Sequence, residues 1–373
     1  MGNWGKESIK NIIIAKMKIL AFIGQMHKGG AERVMSLLVN EAAARGYDVC
    51  LLIGNDKVEY DLDKRVRVIT FDSDGLSAKN RFKRIRQVFK EENPDAIISF
   101  MSSPSIYACF CAIGLGIPVI ISERNTPKYE VRDKIHGYLR SLAYRFASGA
   151  IFQTEEARDY FSKSLRWKSV VIPNPVKDNL PVAERDNVKK RIVNLGRLVP
   201  QKNHKLLIKA FSMFQKTHTN YELAIYGRGE DEGARERLLD YAGKLGLRDR
   251  VAINDPIDNI HDEIKDATMF VLSSDYEGVS NALLECLAVG LPCVSTDCPC
   301  GGSRMLIDDG KNGLLVSVGD AEGLALAMGR IADDRTFANR LGEESKKLRE
   351  KYSTREIMGL YLDYITSVSK LKK

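Results

Sequence analysis

Short apolar runs, mostly of β-branched residues, alternate along the chain with longer segments whose apolar positions recur at helical spacing. In the first half the strand candidates are KILAFIG, DVCLLIG, VRVITF, DAIISF, IPVIIS, GAIFQT and SVVIP. A representative helix between them is AERVMSLLVNEAAARG, which Gly46 would close with a left-handed C-cap. Strands that alternate with helices in this way predict a parallel α/β sheet.

The alternation stops once and then restarts. The segment PNPVKDNLPVAERDNVKK, residues 173–190, is rich in Pro, Asn and charge and predicts a linker. Beyond it the strand candidates are RIVNLG, YELAIYG, RVAIN, TMFVLS, LPCVST and NGLLVSV. The pattern therefore predicts two similar doubly wound α/β domains joined by one linker.

The predicted boundaries follow from these segments. A final helix has apolar positions at Ile357, Leu360, Tyr361 and Ile365. Residues 1–16 precede the strand that starts at MKIL, and we interpret them as a leader or an added strand. The predicted parts are a first domain at 17–175, a linker at 176–190, a second domain at 191–352 and a closing helix in 353–373.

Composition narrows the class of protein. No apolar run approaches the roughly 18–20 residues of a membrane-spanning helix. Seven cysteines, odd in number and unevenly spaced, favour a reducing, cytoplasmic setting over a disulfide framework. Cys298 and Cys300 form CPC without a second pair at zinc-site spacing, so we interpret them as ordinary residues and predict no metal site.

Positive charge is confined to one half of the chain. Residues 1–180 contain 28 Lys and Arg against 20 Asp and Glu, whereas residues 181–373 contain 29 of each. The net charge of +8 therefore belongs to the first half, which predicts an anionic partner there: phosphate groups, acidic lipid or nucleic acid.

Three strand-to-helix joints have sequences that suit an anion, because helix N-termini present free N–H groups beyond the ends of parallel strands. The first, FIGQMHKGGAERV, contains Gly29 and Gly30, which are equally consistent with a plain tight turn. The second, YELAIYGRGEDEG, has Gly227, Gly229 and Gly233 at a spacing one residue too long for a dinucleotide fingerprint. We interpret that loop as lining a phosphate or base site.

The third joint, TMFVLSSDYEG, leads into a helix predicted to begin near Val279 and Ser280 and to end at Gly290. The N–H groups at its start would face a phosphate. Glu285 lies about five residues in, roughly 7.5 Å along the axis, which is about the offset between a diphosphate and the ribose of one nucleotide. Glu277, just before the helix, would reach the other side of the phosphate, where a transferable sugar would lie.

Two other interpretations of this pair remain open. A glycosidase needs two carboxylates about 5–9.5 Å apart that face one bond. Eight residues turn a helix by roughly 80° net, so Glu277 and Glu285 would diverge if one helix contained both. The non-chemical alternative is a solvated acidic helix face.

Taken in order along the chain, several motifs resemble glycosyltransferase family 4. They are GGAERV at 29–34, VIPNPV at 171–176, NLGRLVPQKN at 194–203, Glu277-x7-Glu285 with GVSNALLECLAVGLPCVSTD, and DGKNGLLVSVGD. The resemblance implies a retaining enzyme of the GT-B fold, with two Rossmann-like domains facing each other across a cleft that holds the active site. It implies that the last helix returns to the first domain and that no metal or other cofactor is required.

The resemblance also implies roles for particular residues. Arg197 and Lys202 match the pair that neutralises the donor diphosphate, and Glu277 matches the carboxylate that contacts the donor sugar and is needed for transfer. Glu285 matches the residue that binds the ribose hydroxyls. The remaining implied donor-site residues are Gly29, Gly30, Gly227, Val279, Ser280 and Asn281, with backbone near Pro256 and Ile257 at the base.

One position departs from the family pattern. Many members have a histidine near the donor sugar in the segment that here is VIISERNTP, and Arg124 stands in its place. Arg124, His27 and Lys28 are therefore candidates for contacts on the acceptor side.

The segment KNRFKRIRQVFKEE, residues 79–92, combines basic residues with an apolar stripe of Phe82, Ile85 and Phe89. One interpretation is a helix that lies on anionic lipid, and the other is a sheet-packing helix with a solvated basic face. A second basic segment has Tyr138, Leu142 and Phe146 at helical spacing. The membrane-surface candidates are Arg81, Lys83, Arg84 and Arg86.

The sequence therefore predicts a glycosyltransferase that moves a hexose or N-acetylhexosamine from a nucleotide-sugar, a UDP-sugar first, to a glycan or polyprenyl-diphosphate-linked acceptor. The expected location is cytoplasmic, peripheral at the inner face of the membrane. No nucleic acid is expected, because no recognised binding module is present. A nucleotide-sugar epimerase of the same architecture and a non-catalytic nucleotide-sugar-binding scaffold are the alternatives.

Overall fold

The computed structural model of the protein describes residues 17–71, 75–131 and 133–370. The segment interpreted as a leader, residues 1–16, lies outside the described residues. The chain divides into two compact units: unit 1 contains residues 17–175 together with the last helix, and unit 2 contains residues 176–353. In the part of the chain that the structure describes, no helix combines the length and apolarity needed to cross a bilayer.

Unit 1 is a parallel sheet with connecting helices. Its described strands are β1 (Lys18–Phe22), β2 (Asp48–Ile53), β3 (Arg67–Thr70), β4 (Ala96–Phe100), β5 (Val119–Ser122), β6 (Gly149–Phe152) and β7 (Ser169–Val171). Its helices before the linker are α1 (Gly30–Ala44), α2 (Ala78–Glu92), α3 (Ser102–Ala112), α4 (Lys134–Ala143), α5 (Glu155–Asp159) and α6 (Lys163–Trp167). The strand order is β3-β2-β1-β4-β5-β6-β7.

The central strands of unit 1 are apolar on both faces, as expected for a parallel sheet covered by helices. Every residue of β4, β5 and β6 is buried. Phe22 at the end of β1 packs edge-on against Phe71 and Phe89, at centroid distances of 5.9 and 6.4 Å. The core of unit 1 therefore lies along the strand segments that the sequence predicted.

Helix α2 contains the basic segment 79–92, for which the sequence left two interpretations: a helix on lipid or a helix packed on the sheet. Ile85 and Phe89, the centre of its apolar stripe, are fully buried, and Phe89 packs on Phe22. The stripe faces the core, so the interpretation of α2 as a helix whose apolar face enters lipid is wrong. Helix α2 is a sheet-packing helix, and Lys83 and Arg84 are exposed on its other side.

Unit 2 repeats the architecture. Its described strands are β8 (Lys189–Leu195), β9 (Glu222–Tyr226), β10 (Val251–Asn254), β11 (Ala267–Leu272), β12 (Cys293–Thr296) and β13 (Leu314–Val316), in the order β10-β9-β8-β11-β12-β13. Its helices are α7 (His204–Phe214), α8 (Ala234–Lys244), α9 (Ile260–Ile264), α10 (Asn281–Val289), α11 (Gly302–Leu306), α12 (Ala321–Asp333), α13 (Arg335–Lys346) and α14 (Leu348–Lys351). A short 3₁₀ turn, Pro200–Lys202, precedes α7.

The last helix, α15 (Thr354–Lys370), packs in unit 1. Ile357, Tyr361 and Ile365 are buried, and the Tyr361 ring lies 6.1 Å from the ring of Phe100 on β4. Leu360, grouped with them by helical spacing, is instead half exposed at 51%. Two doubly wound parallel α/β units were predicted from the alternation of strands and helices, and the structure confirms them.

Candidate functional site

The topological switch point of unit 2 lies between β8 and β11. These neighbours pair in parallel, with Ile192 opposite Met269, while the strand order reverses at this position. In doubly wound sheets ligands bind beyond the carboxyl ends of the two strands at such a point. Here those ends lead into residues 196–203 and 273–280, which contain Arg197, Lys202 and Glu277.

Lys202 and Glu277 meet although 75 residues separate them in the sequence. Lys202 Nζ lies 2.5 Å from Glu277 Oε1, and both side chains are largely buried, at 14% and 10% exposure. Ser274 Oγ donates to the same carboxylate oxygen at 2.8 Å, and Ser273 Oγ donates to the Lys202 carbonyl at 2.9 Å. A charged pair this sheltered is held in one geometry, as a site for a charged substrate needs to be.

Two glycines let the backbone segments around this pair come close together. A Cβ at Gly227 would collide with the carbonyl of Gly196, and one at Gly302 would collide with the carbonyl of Gly278. Gly227 was predicted to line the donor site, and the structure gives it a packing role beside the loop that starts at Gly196. Gly302 is a site-shaping residue that the sequence analysis did not identify.

Helix α10 begins where the sequence predicted. Ser280 is its N-cap and accepts a hydrogen bond from the Leu283 N–H at 3.4 Å, and Gly290 closes it in the left-handed conformation. Val279 and Ser280 are each only 6% exposed, and Asn281 is the first helical residue. Eight residues, 273–280, lie between the end of β11 and the first residue of the helix, and they include Glu277.

Glu285 has a partner that the sequence analysis missed. His261 Nε2 lies 3.1 Å from Glu285 Oε2, with side-chain exposures of 6% and 12%. The alignment is not that of a hydrogen bond from the ring nitrogen, but the close approach restricts the carboxylate. Pro256 and Ile257, predicted to meet the base, are exposed in the loop that leads into α9, which contains His261. In the sequence, the signal that could have indicated this contact is the position of His261 in NIHDEI, shortly after the predicted base loop.

The contact predicts a positioning role for His261. Replacing His261 by Ala is expected to raise the KM for a nucleotide donor by about 5–50-fold while kcat changes little. The reason is that Glu285, which is predicted to bind the ribose, would lose its neighbour while the predicted reacting groups stay unchanged. His261→Asn, which keeps a polar group, is expected to recover part of the loss. Steady-state kinetics with varied donor separate the two parameters.

The matched control is His218, whose Nε2 lies 3.0 Å from Asp333 Oδ1 elsewhere in unit 2. His218→Ala removes a similar contact and should leave the donor KM unchanged. A donor KM that is the same in His261→Ala and in the native protein would show that His261 only fills space.

Arg197 and His204 complete the surroundings of Lys202. Arg197 is exposed at the start of the loop after β8. His204 is buried, 3.1 Å from Asn194 Oδ1, and burial, assisted by the charge of Lys202, lowers its pKa to about 4. The histidine is therefore neutral at physiological pH and adds no positive charge beside Lys202.

The first glycine joint is braced by protein groups. The Gly29 N–H donates to the Tyr60 hydroxyl at 2.8 Å, and that hydroxyl donates back to the Gly29 carbonyl at 2.7 Å. The Glu32 side chain lies against Gly29, where a Cβ would collide with its carboxylate. Gly30, the first residue of α1, is exposed. Of the two glycines, Gly30 is therefore the more open to a ligand.

The acceptor-side candidates have different environments. Arg124 is buried and donates to the Tyr361 hydroxyl and to Asn174 Oδ1, both at 2.5 Å, while stacking 4.8 Å from the centroid of Phe100. It thus braces the last helix and the end of unit 1. His27 Nδ1 lies 3.7 Å from Glu59, whose carboxylate also accepts from the Lys28 N–H at 2.8 Å. Contact of these residues with an acceptor stays a prediction.

Unit 1 also contains a cavity at its own switch point. The order reverses between β1 and β4, and a cavity of about 340 Å³ lies beyond their carboxyl ends. Residues that line it include Phe22, Phe71, Arg81, Met101, Tyr107 and Glu130. Arg81, proposed from the sequence as a membrane contact, lies over the Tyr107 ring at 5.9 Å and faces this cavity instead.

The cysteines have no ligand-like arrangement. Cys298 and Cys300 are buried, and burial raises the pKa of the Cys298 thiol to about 11. Among residues 17–71, 75–131 and 133–370, no group of three or more His, Cys, Asp or Glu side chains is placed to hold a metal ion.

Two family models match adjacent parts of the chain. The model described as Glycosyltransferase Family 4 matches residues 28–180, and the model described as Glycosyl transferases group 1 matches residues 177–348. Together they extend over most of the chain and meet at the junction of the two units.

Named relatives and solved structures are similar over nearly full length. The chain is 27% identical over 363 residues to a Campylobacter jejuni α-1,4-N-acetyl-D-galactosaminyltransferase named for a diphosphate-undecaprenol-linked glycan, covering 94% of this chain and 99% of that protein. It is 28% identical to the lipopolysaccharide 1,6-galactosyltransferase of Salmonella typhimurium, with coverages of 84% and 89%. Anabaena HepE in complex with UDP and glucose superposes with a TM-score of 0.80 at 18% identity, covering 94% of this chain and 100% of that one.

Proposed function

The chain belongs to glycosyltransferase family 4, with the GT-B fold, and on that premise we propose a retaining transfer of a hexose or N-acetylhexosamine from a UDP-sugar. The acceptor is a glycan linked to polyprenyl diphosphate or part of a lipopolysaccharide. The observation that supports this proposal is the sheltered Lys202–Glu277 pair at the switch point of unit 2, beside the start of α10.

The pair suits the charges that develop during sugar transfer. As the bond between the anomeric carbon and the diphosphate oxygen breaks, negative charge grows on the diphosphate and positive charge on the sugar. Lys202, Arg197 and the first N–H groups of α10 would stabilise the leaving diphosphate. Glu277 lies where it would face the sugar, and Glu285 with His261 would hold the ribose. No metal cofactor is part of this proposal.

The contact between Lys202 and Glu277 suggests how the donor could bind. Lys202 Nζ lies 2.5 Å from Glu277 Oε1. A diphosphate is more highly charged than one carboxylate and would draw the ammonium toward itself, which would release Glu277 for the sugar. Binding and activation of the donor would then be one rearrangement of two side chains.

The acceptor proposal rests on the relatives and on charge. The similar Campylobacter protein is named for a glycan on diphospho-undecaprenol, and the Salmonella protein for lipopolysaccharide. Unit 1 contains the basic half of the sequence and the cavity beyond β1 and β4. We propose that the acceptor binds at unit 1 and that the enzyme works on the cytoplasmic face of the membrane as a peripheral protein.

The alternatives receive less support. The relatives reported above are named as transferases, so the epimerase alternative has no support from them. The alternative of a non-catalytic nucleotide-sugar-binding scaffold receives less support, because such a protein does not need a carboxylate, Glu277, held beside Lys202, the cation proposed to bind the diphosphate.

A panel of donors tests the proposal. Ligand at 100 times its Kd stabilises the folded state by about 2.7 kcal/mol, which for a domain the size of unit 2 shifts Tm by roughly 5–10 °C. We expect such a shift with UDP-sugars and little with GDP- or ADP-sugars, measured by thermal unfolding at equal concentrations. Glu285→Ala should reduce the shift.

The same panel of donors can also contradict the proposal. A shift with GDP- or ADP-sugars and none with UDP-sugars would overturn the choice of base. Conversion of the donor to an isomeric nucleotide-sugar in the absence of acceptor would overturn the proposed transfer.

A further inference from the structure

Helix α4 has an exposed apolar stripe. Ile135, Tyr138, Leu139 and Leu142 follow each other at intervals of three or four residues, and Phe146 continues the same line just beyond the helix. At 100° per residue these five residues lie within about 100° of one another around the helix axis. We name these five residues the α4 stripe.

The α4 stripe faces away from the core. Arg140 and Ala143, the buried residues of the helix, lie on a different side of it. Ile135 is 73% exposed and Tyr138 69%, values that are high for large apolar side chains. Phe146 is half exposed and pairs with Phe110 of α3 at a centroid distance of 6.3 Å. The apolar surface therefore continues from α4 onto the end of α3, where Ile113 is also exposed.

Positive charge borders this surface. Lys134 and Arg145 are exposed at the two ends of the α4 stripe. Residues 133–154 contain three basic residues, of which Arg140 is buried, and one carboxylate, Asp133, which caps the start of the helix. The whole net charge of +8 lies in the half of the sequence that contains them. An apolar stripe flanked by cations suits an anionic bilayer surface, where the stripe enters the acyl boundary and the cations meet the headgroups.

Helix α2 provides the contrast. It has more basic residues than α4, but Ile85 and Phe89 face the core of unit 1. A surface with charge alone attracts a membrane weakly and loses that attraction in salt. Of the two helices, α4 is the one whose apolar side chains and flanking positive charges both lie at the surface of unit 1.

We propose that the α4 stripe, flanked by Lys134 and Arg145, is the surface by which this enzyme lies on an anionic lipid bilayer. The inference rests on the proposed lipid-linked acceptor, because such an acceptor is reached only at a bilayer. Docking through α4 places unit 1 at the headgroup layer, where the diphosphate of the acceptor lies.

Charge argues against a second copy of the chain as the occupant. A two-fold interface places the same patch on both sides. Two stripes packed together would bring Lys134 and Arg145 of both copies to one interface, where Asp133 is the one carboxylate of residues 133–154 and cannot balance both cations. Anionic lipid satisfies the apolar and the charged parts of the surface at once.

The test uses the full chain and vesicles of phosphatidylglycerol and phosphatidylcholine. The variant is Ile135→Glu with Tyr138→Glu, and the matched control is Leu326→Glu with Leu360→Glu, two exposed leucines at 70% and 51%. In co-sedimentation we expect the α4 variant to lose about ten-fold or more in vesicle affinity and the control to stay within about two-fold. Pure phosphatidylcholine vesicles should bind the native protein far less.

Further measurements keep the proposal open to refutation. Equal vesicle binding by the native protein and the α4 variant would overturn it. Absence of vesicle binding by the native protein would also overturn it, as would sedimentation showing a dimer that the α4 variant dissociates. Because donor binding occurs in unit 2, the thermal shift with UDP-sugar should be unchanged in the α4 variant. Loss of that shift in the native protein would refute the proposed function instead, whatever the vesicles show.

Discussion

Replacing Glu277 by Gln is expected to lower kcat/KM for sugar transfer by about 10²–10⁴-fold while the protein stays folded. The substitution keeps the size of the side chain and a hydrogen-bond acceptor for Ser274, but it removes the charge that we propose faces the sugar in the transition state. Loss of a single preorganised electrostatic contact in an active site has effects on the order of 10²–10³-fold, and loss of a general acid or base adds to this. Steady-state transfer to a lipid-linked acceptor measures the change.

The control for Glu277→Gln is Glu343→Gln. Glu343 pairs with Lys346 at 2.6 Å on the surface of α13, so its substitution also breaks a lysine–carboxylate pair, and transfer should be unaffected. Lys202→Met tests the other half of the site pair and should be as damaging as Glu277→Gln. Turnover within a few-fold of the native protein in both site variants would remove the pair from the mechanism.

Replacing Gly302 by Ala is the second substitution for which a large effect is expected. A Cβ at this position would collide with the carbonyl oxygen of Gly278 and come 3.2 Å from Val279 Cα. The backbone of residues 278–279 would have to shift, and with it the start of α10. Overpacking of this kind costs about 1–3 kcal/mol in stability. Donor affinity should fall more than ten-fold, because the N–H groups proposed to bind the diphosphate would move.

Gly243→Ala is the matched control for Gly302→Ala. Gly243 lies in the last turn of α8, and a Cβ there would meet no atom within 4 Å. Alanine in a helix is more stable than glycine by roughly 0.5–1 kcal/mol, so Tm should stay level or rise and donor binding should not change. Native donor affinity in Gly302→Ala would show that the start of α10 does not position the diphosphate.

The strands were the part of the fold that the sequence predicted best. Buried parallel strands are short apolar runs, and their alternation with helices admits few topologies, so candidates such as TMFVLS and LPCVST correspond to β11 and β12. The start and end of α10 were also predictable, since Ser280 and Gly290 are residues that cap helices for local reasons.

Contacts between distant residues could not be predicted in this way. The resemblance to a family assigned roles to Lys202 and Glu277, but their direct contact depends on β8 and β11 lying side by side. The His261–Glu285 contact depends on where the short helix α9 packs, and local sequence does not determine that. Gly302 has no pattern around it that marks a close backbone approach.

The two basic helices illustrate a different limit. In both α2 and α4 apolar residues recur at helical spacing among cations, so the sequence alone could not decide which stripe faces the core. The structure buries Ile85 and Phe89 of α2 and leaves Ile135 and Tyr138 of α4 exposed. The burial of these apolar side chains depends on how each helix packs on the sheet. Amphipathic spacing alone does not reveal whether the apolar side of a helix packs on the protein core or lies at the surface.

A crystal structure of the protein with UDP bound would show directly where the donor lies. We expect the diphosphate within about 2.7–3.2 Å of Lys202 Nζ and of the first backbone N–H groups of α10, with the ribose hydroxyls on Glu285 and the base beside Ile257. UDP bound in the cavity of unit 1, or anywhere that leaves Lys202 paired with Glu277 and out of reach of the phosphates, would contradict it.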